Sequence, residues 1–135
     1  MSGPQPEADF PPPGPRYKAL PIAWVTTCRR LLIIGGGYET ESRLRHAMTF
    51  DWLSISVVME HPTPFVREAR RRDLRIAVHE RMAREADVAY ADVVIKDTDH
   101  PEFSVQVAAW CEKHGKPLNA CDQPDLCDLF YMSLV

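Results

Sequence analysis

Leu31-Leu32-Ile33-Ile34-Gly35-Gly36-Gly37 decides the fold. Four apolar residues run straight into three glycines, and Tyr38–Phe50 behind them suits a helix with Leu44, Ala47 and Met48 on one face. A strand, a bare turn and a helix form the unit that lays a dinucleotide pyrophosphate against a helix N-terminus. There the free N–H groups and the positive end of the helix dipole meet the anion. The expected fingerprint is G-x-G-x-x-G/A, and Gly35-Gly36-Gly37-Tyr38-Glu39-Thr40 matches it at two positions, with Thr40 at the third. Thr40 places a β-branched side chain where helix and strand approach. Glu39 and Glu41 either complement the dipole or compete with a bound phosphate.

Outward from the turn, short apolar runs alternate with helical stretches. Leu31–Ile34, Leu53–Met59, Leu74–His79, Ala91–Lys96 and Pro117–Cys121 read as strands, and Leu129–Leu134 as a sixth. Phe65–Arg72, Glu80–Asp87 and Pro101–His114 read as helices, the last entered at proline and stopped by Gly115. This alternation predicts an α/β fold: a Rossmann-like, doubly wound parallel sheet of five to six strands in a single domain. A glycine turn after the first strand favours the order 3-2-1-4-5, with the ligand crevice at the carboxyl ends of the strands.

The chain's 135 residues suffice for one domain with a real core, and 45% hydrophobic and 26% charged residues are ordinary globular values. A net charge of -3 gives no electrostatic case for nucleic acid. No apolar run is long enough for a membrane span and no secretory pattern opens the chain, so a cytoplasmic protein with reduced Cys28, Cys111, Cys121 and Cys127 is expected. Six of the twelve prolines lie between Pro4 and Pro15. Residues 1–16 therefore read as a disordered or polyproline-like tail, and 17–135 as the folded domain.

Several residues at predicted strand ends are candidates for chemistry. Glu60, about twenty residues beyond the glycines, suits a hydrogen bond to adenosine ribose hydroxyls and would repel a 2′-phosphate, favouring NAD over NADP; otherwise it is a solvated strand-end Glu. Asp97 and Asp99 either face the crevice or cap the helix that begins near Pro101, capping being the expectation for Asp99. Lys96 either reaches an anionic ligand or is solvated. Asp122 follows the fifth strand, as a general base beside a nicotinamide or as a turn residue before Pro124. The five histidines and four cysteines show no ligand spacing, so no metal site is expected. The cofactor-binding set is read as Gly35, Gly36, Gly37, Tyr38, Glu60 and Thr98.

From about Leu20 to Val135 the chain resembles the N-terminal Rossmann domain of the siroheme synthase family, the precorrin-2 dehydrogenases with or without ferrochelatase activity. The resemblance rests on Leu20-Pro21-Ile22, Leu32-Ile33-Ile34-Gly35-Gly36-Gly37, Thr98-Asp99-His100-Pro101-Glu102 and Asn119-Ala120-Cys121-Asp122-Gln123-Pro124-Asp125-Leu126-Cys127-Asp128-Leu129-Phe130. It implies NAD-dependent oxidation of precorrin-2, an octacarboxylate tetrapyrrole, to sirohydrochlorin, with Fe²⁺ insertion in some members. Asp122 falls on the family's catalytic aspartate. The family usually has small residues where this chain has Lys96-Asp97, and Val-Ala where it has Glu39-Thr40. It also continues into a dimerisation region and a helical region beyond the point matching Val135. The resemblance thus implies a homodimer for the full-length family and a monomer or weak dimer here. The alternative expectation is a non-catalytic binding or regulatory module that keeps the fold and has lost NAD.

Overall fold

The computed structural model describes residues 19–131. The proline-rich tail and the expected domain start at Tyr17 lie outside them. Five parallel strands form one sheet: β1 (Arg30–Ile34), β2 (Ser54–Met59), β3 (Ile76–Glu80), β4 (Val93–Lys96) and β5 (Leu118–Ala120). Their order is β3-β2-β1-β4-β5, as the alternation predicts. The chain fills one half of the sheet and then crosses back beside β1, so the connections leaving the paired strands β1 and β4 turn to opposite faces, which sets the switch point between them.

Side-chain alternation along β1 shows how the sheet is covered on both faces. Leu31 and Ile33 join Ile55, Val57, Val93 and Ile95 under α1 (Thr40–Ala47) and α2 (Pro64–Arg72). Leu32 and Ile34 join Val58, Val94 and Leu118 under α3 (Glu85–Tyr90) and α4 (Pro101–His114). Two buried faces explain why the strands read as unbroken apolar runs. The helix ends follow local chemistry. Thr63 Oγ1 accepts from Val66 N at 3.3 Å ahead of Pro64, and Gly115 ends α4 at φ 67, where its left-handed backbone suits glycine.

The boundaries differ where side chains redirect the backbone. The predicted helix 80–87 starts five residues later, because β3 runs on to Glu80 opposite Met59. Asp87 then accepts Arg84 N at 2.7 Å and holds the Arg81 guanidinium at 2.8 and 2.9 Å, which sets the first turn at Glu85. Asp92 leaves the predicted fourth strand to accept Arg30 N at 2.8 Å. The expected sixth strand is not formed over Leu129–Tyr131. There a 3-10 turn at Pro124–Leu126 folds the chain back, Asp128 N and Leu129 N donate to Leu118 O, and Leu129 and Tyr131 pack on the α1 face. Residues 132–134 of that strand lie outside the described residues. Among the described residues no helix is long and apolar enough to cross a membrane.

Candidate functional site

The glycine turn lies at the carboxyl end of β1, between β2 and β4. Gly35 N donates to Val58 O at 2.9 Å and Asp97 N to Ile34 O at 2.8 Å, so both neighbouring strands stay tied to β1 as it ends. Each glycine has its own reason. A Cβ on Gly35 would stand 2.6 Å from Thr40 Cγ2, Gly36 has φ +138, and a Cβ on Gly37 would meet Asp97 Oδ1 at 2.7 Å.

Thr40 is buried, and the close helix–strand approach survives because its side chain takes part in the turn. Its hydroxyl accepts Gly36 N at 3.0 Å and donates to Asp97 Oδ2 at 2.9 Å. The same Oδ2 accepts Glu39 N at 2.7 Å, and Asp97 O accepts Gly37 N at 2.8 Å. A carboxylate just beyond the end of β4, only 5% exposed, thus sits at the positive end of α1. Asp97 therefore caps α1, not α4. The residue at the start of α4 is His100, without a side-chain cap, so Asp99 does not fill the capping role expected of it.

Lys96 points to the opposite face and is 0% exposed, against the expectation of a ligand-reaching or solvated lysine. Its ammonium donates to Ser104 Oγ and Gln123 Oε1, both at 2.6 Å, and to Thr98 O at 3.2 Å. Burial draws its pKa below the usual lysine value, opposed by the charges of Cys121, Asp97 and Asp99. Below the turn, Arg43 lies 3.9 Å over the Tyr131 ring and pairs with Glu39 at 3.0 Å. Burial pushes the Cys121 thiol up, with Arg43 pulling against it, and raises the Tyr131 phenol to about 12.

A crevice of about 200 Å³ opens at the strand ends between β1, β2 and α4. Gly35, Gly36, Glu60, Thr98, Asp99 and His100 are among its lining. Arg81, also at the rim, is held by Asp87; although burial pushes that carboxyl up, Arg81 and the Arg84 N–H keep its pKa below the usual range. Of the predicted cofactor set, Gly35, Gly36, Glu60 and Thr98 come together here. Gly37 is turned onto Asp97, and Tyr38, 97% exposed, stands outside the lining. Asp122 is exposed on the turn after β5, with a left-handed backbone (φ 62), and also lies outside the crevice. Among the described residues no three His, Cys, Asp or Glu gather as a metal cluster.

Residues 22–133 match the protein family described as "Putative NAD(P)-binding". The chain belongs to this family. Within this NAD(P)-binding family it is 25% identical over 118 residues to a siroheme biosynthesis protein, met8, of Schizosaccharomyces pombe, covering 85% of this chain and 44% of that protein. It is 27% identical over 119 residues to a siroheme synthase of Azotobacter vinelandii, covering 86% of this chain and 25% of that one. The chain thus spans less than half the length of these curated relatives. The fold is similar to that of SirC, a precorrin-2 dehydrogenase, at a TM-score of 0.65 and 16% identity over 78% of this chain and 50% of that one. The resemblance to the siroheme synthase family expected from the sequence blocks is borne out by the family match and these relatives.

Proposed function

We propose that the chain is the dinucleotide-binding part of an NAD-dependent dehydrogenase acting on precorrin-2 in siroheme biosynthesis. The observation that carries this reading is the strand-end crevice, where Gly35 and Gly36 offer bare backbone and Glu60 closes β2. That geometry fits the adenosine end of the cofactor. Glu60 would accept from the ribose hydroxyls, and its charge would disfavour a 2′-phosphate, which selects NAD over NADP. Thr98 would add a hydroxyl from the β4 side. When bound, the nicotinamide supplies the hydride acceptor. The chain's own contribution to chemistry is Asp122, whose carboxylate would take the proton lost from the tetrapyrrole as hydride departs. Fe²⁺ insertion rests on the family resemblance alone and is not part of this proposal.

A second reading is supported by Asp97. With the N–H groups of Gly36, Gly37 and Glu39 engaged inside the chain, the fold also suits a non-catalytic module of the same family.

Calorimetric titration with NAD⁺ and NADH, followed by a precorrin-2 oxidation assay, tests the first reading. Binding with turnover is expected, and Asp122→Ala should keep the binding and lower turnover by about a hundredfold or more. Absence of binding at millimolar cofactor, or full turnover by the variant, would overturn the corresponding assignment.

A further inference from the structure

We infer that Asp97 is a resident anion: its carboxylate occupies the place of a dinucleotide phosphate at the head of α1 and thereby sets how tightly the chain holds phosphorylated ligands. The inference rests on reading the crevice as a dinucleotide site. It concerns one end of that site.

Phosphate recognition by a glycine turn depends on main-chain N–H groups left unpaired and aimed outward. Here three donors of the turn, on Gly36, Gly37 and Glu39, are accounted for. Gly36 N is taken by Thr40 Oγ1, Gly37 N by the Asp97 carbonyl, and Glu39 N by the Asp97 carboxylate. Thr40 does two jobs at once, accepting from the turn and donating to Asp97 Oδ2. Gly37 has no Cβ, and that lets the carboxylate approach within the space a methyl group would fill. The result is a buried, doubly hydrogen-bonded negative charge where the helix dipole favours one.

Two consequences follow for a ligand. A diphosphate arriving at the turn meets a like charge, and it finds the donors it needs already engaged. An uncharged nucleoside meets neither obstacle, because the Glu60 end of the crevice is lined independently of Asp97. The chain should therefore discriminate by phosphate charge: adenosine is accommodated as in any such crevice, while the diphosphate is held weakly.

Asp97→Asn isolates the charge, since its amide oxygen can still accept from Glu39 N and Thr40 Oγ1. Calorimetry with NAD⁺, inorganic pyrophosphate and adenosine should show about tenfold tighter binding of the first two and unchanged adenosine affinity, the scale of one charged contact at a helix end. Equal or weaker NAD⁺ and pyrophosphate binding would overturn the inference, and so would a parallel gain for adenosine, which would indicate general loosening. Thr40→Val offers a second route if Asp97→Asn does not fold. It frees Gly36 N while leaving the charge, so a smaller gain in pyrophosphate affinity, about two- to threefold, is expected, and no gain counts against the inference. The two readings fail separately. Tight NAD⁺ binding by the unaltered chain, indifferent to Asp97→Asn, removes the resident anion and leaves the dehydrogenase standing. A gain in binding without any precorrin-2 turnover does the reverse.

Discussion

The two sides of the crevice end their strands in opposite ways. On the β2 side the strand runs out through Met59 into an exposed Glu60 at the crevice. On the β4 side Lys96, the last residue of the strand, and Asp97, which follows it, are both charged and both buried, on opposite faces of the sheet. The parallel architecture supplies a crevice in either case. Whether a ligand can use it depends on what the terminal side chains do with the donors and acceptors that the strand ends release. The β4 side spends them internally.

Lys96→Ala should break that closed side most severely. It removes a fully buried stem and leaves Gln123 Oε1 and Ser104 Oγ without their cation, for a loss of about 3 kcal/mol in urea denaturation. Lys96→Met, which keeps the volume and discards a buried charge but leaves the same two oxygens unpaired, should lose less than Ala, about 1–2 kcal/mol. An equally large loss for Met would mean that the ammonium's hydrogen bonds, more than the packing of its stem, hold β4 to α4.

Gly35→Ala strikes the boundary between the two sides. Its new methyl would press on Thr40, which is bonded to both Gly36 and Asp97, so relief by side-chain rotation would cost both contacts. A destabilisation of about 2 kcal/mol is expected by thermal or chemical denaturation. A neutral result would show that the Thr40 link is dispensable.

The smallest effect concerns pH. Burial penalises the phenolate and pushes the Tyr131 phenol in the folded chain up to about 12, against an ordinary value of 10.0. A raised folded pKa means that this stability is fully present below about pH 10 and is lost between pH 10 and 12, where the unfolded chain has already released its proton. Tyr131→Phe should flatten that decline by about 1 kcal/mol between denaturation at pH 9 and at pH 11. Identical slopes for the two proteins would place the alkaline loss elsewhere, with Cys111, held by burial to about 12, the next group to substitute.

The sheet order was legible because β1, the glycines and the later apolar runs carry their own local signals. The polar outcomes were not. Lys96 reads as ligand-reaching or solvated and Asp97 as facing the crevice or capping the helix near Pro101, since their true partners lie far along the chain: Thr40 is 57 residues from Asp97, and Gln123 is 27 from Lys96. Nothing local announces such pairs. The late start of α3 was hidden for a different reason: Asp87 engages Arg81 and Arg84, six and three residues before it, through polar contacts that the apolar pattern does not register. Glu60 and Thr98 could be placed at the crevice because strand ends define it, whereas Asp122 and Tyr38 lie on turns whose direction the pattern does not specify.

The bond from Asp97 to the head of α1 also bears on how the domain assembles. In a chain synthesised from its N-terminus, β1, α1, β2, α2 and β3 are all available before β4 emerges. Yet the glycine turn and the N-cap of α1 keep two donors, on Gly37 and Glu39, whose acceptors arrive only with Asp97. Those two donors at the head of the helix have their protein acceptors only once β4 inserts beside β1 and brings Asp97 into place. One late strand completes the sheet and sets the first helix in the same step, which makes the two halves a single cooperative fold.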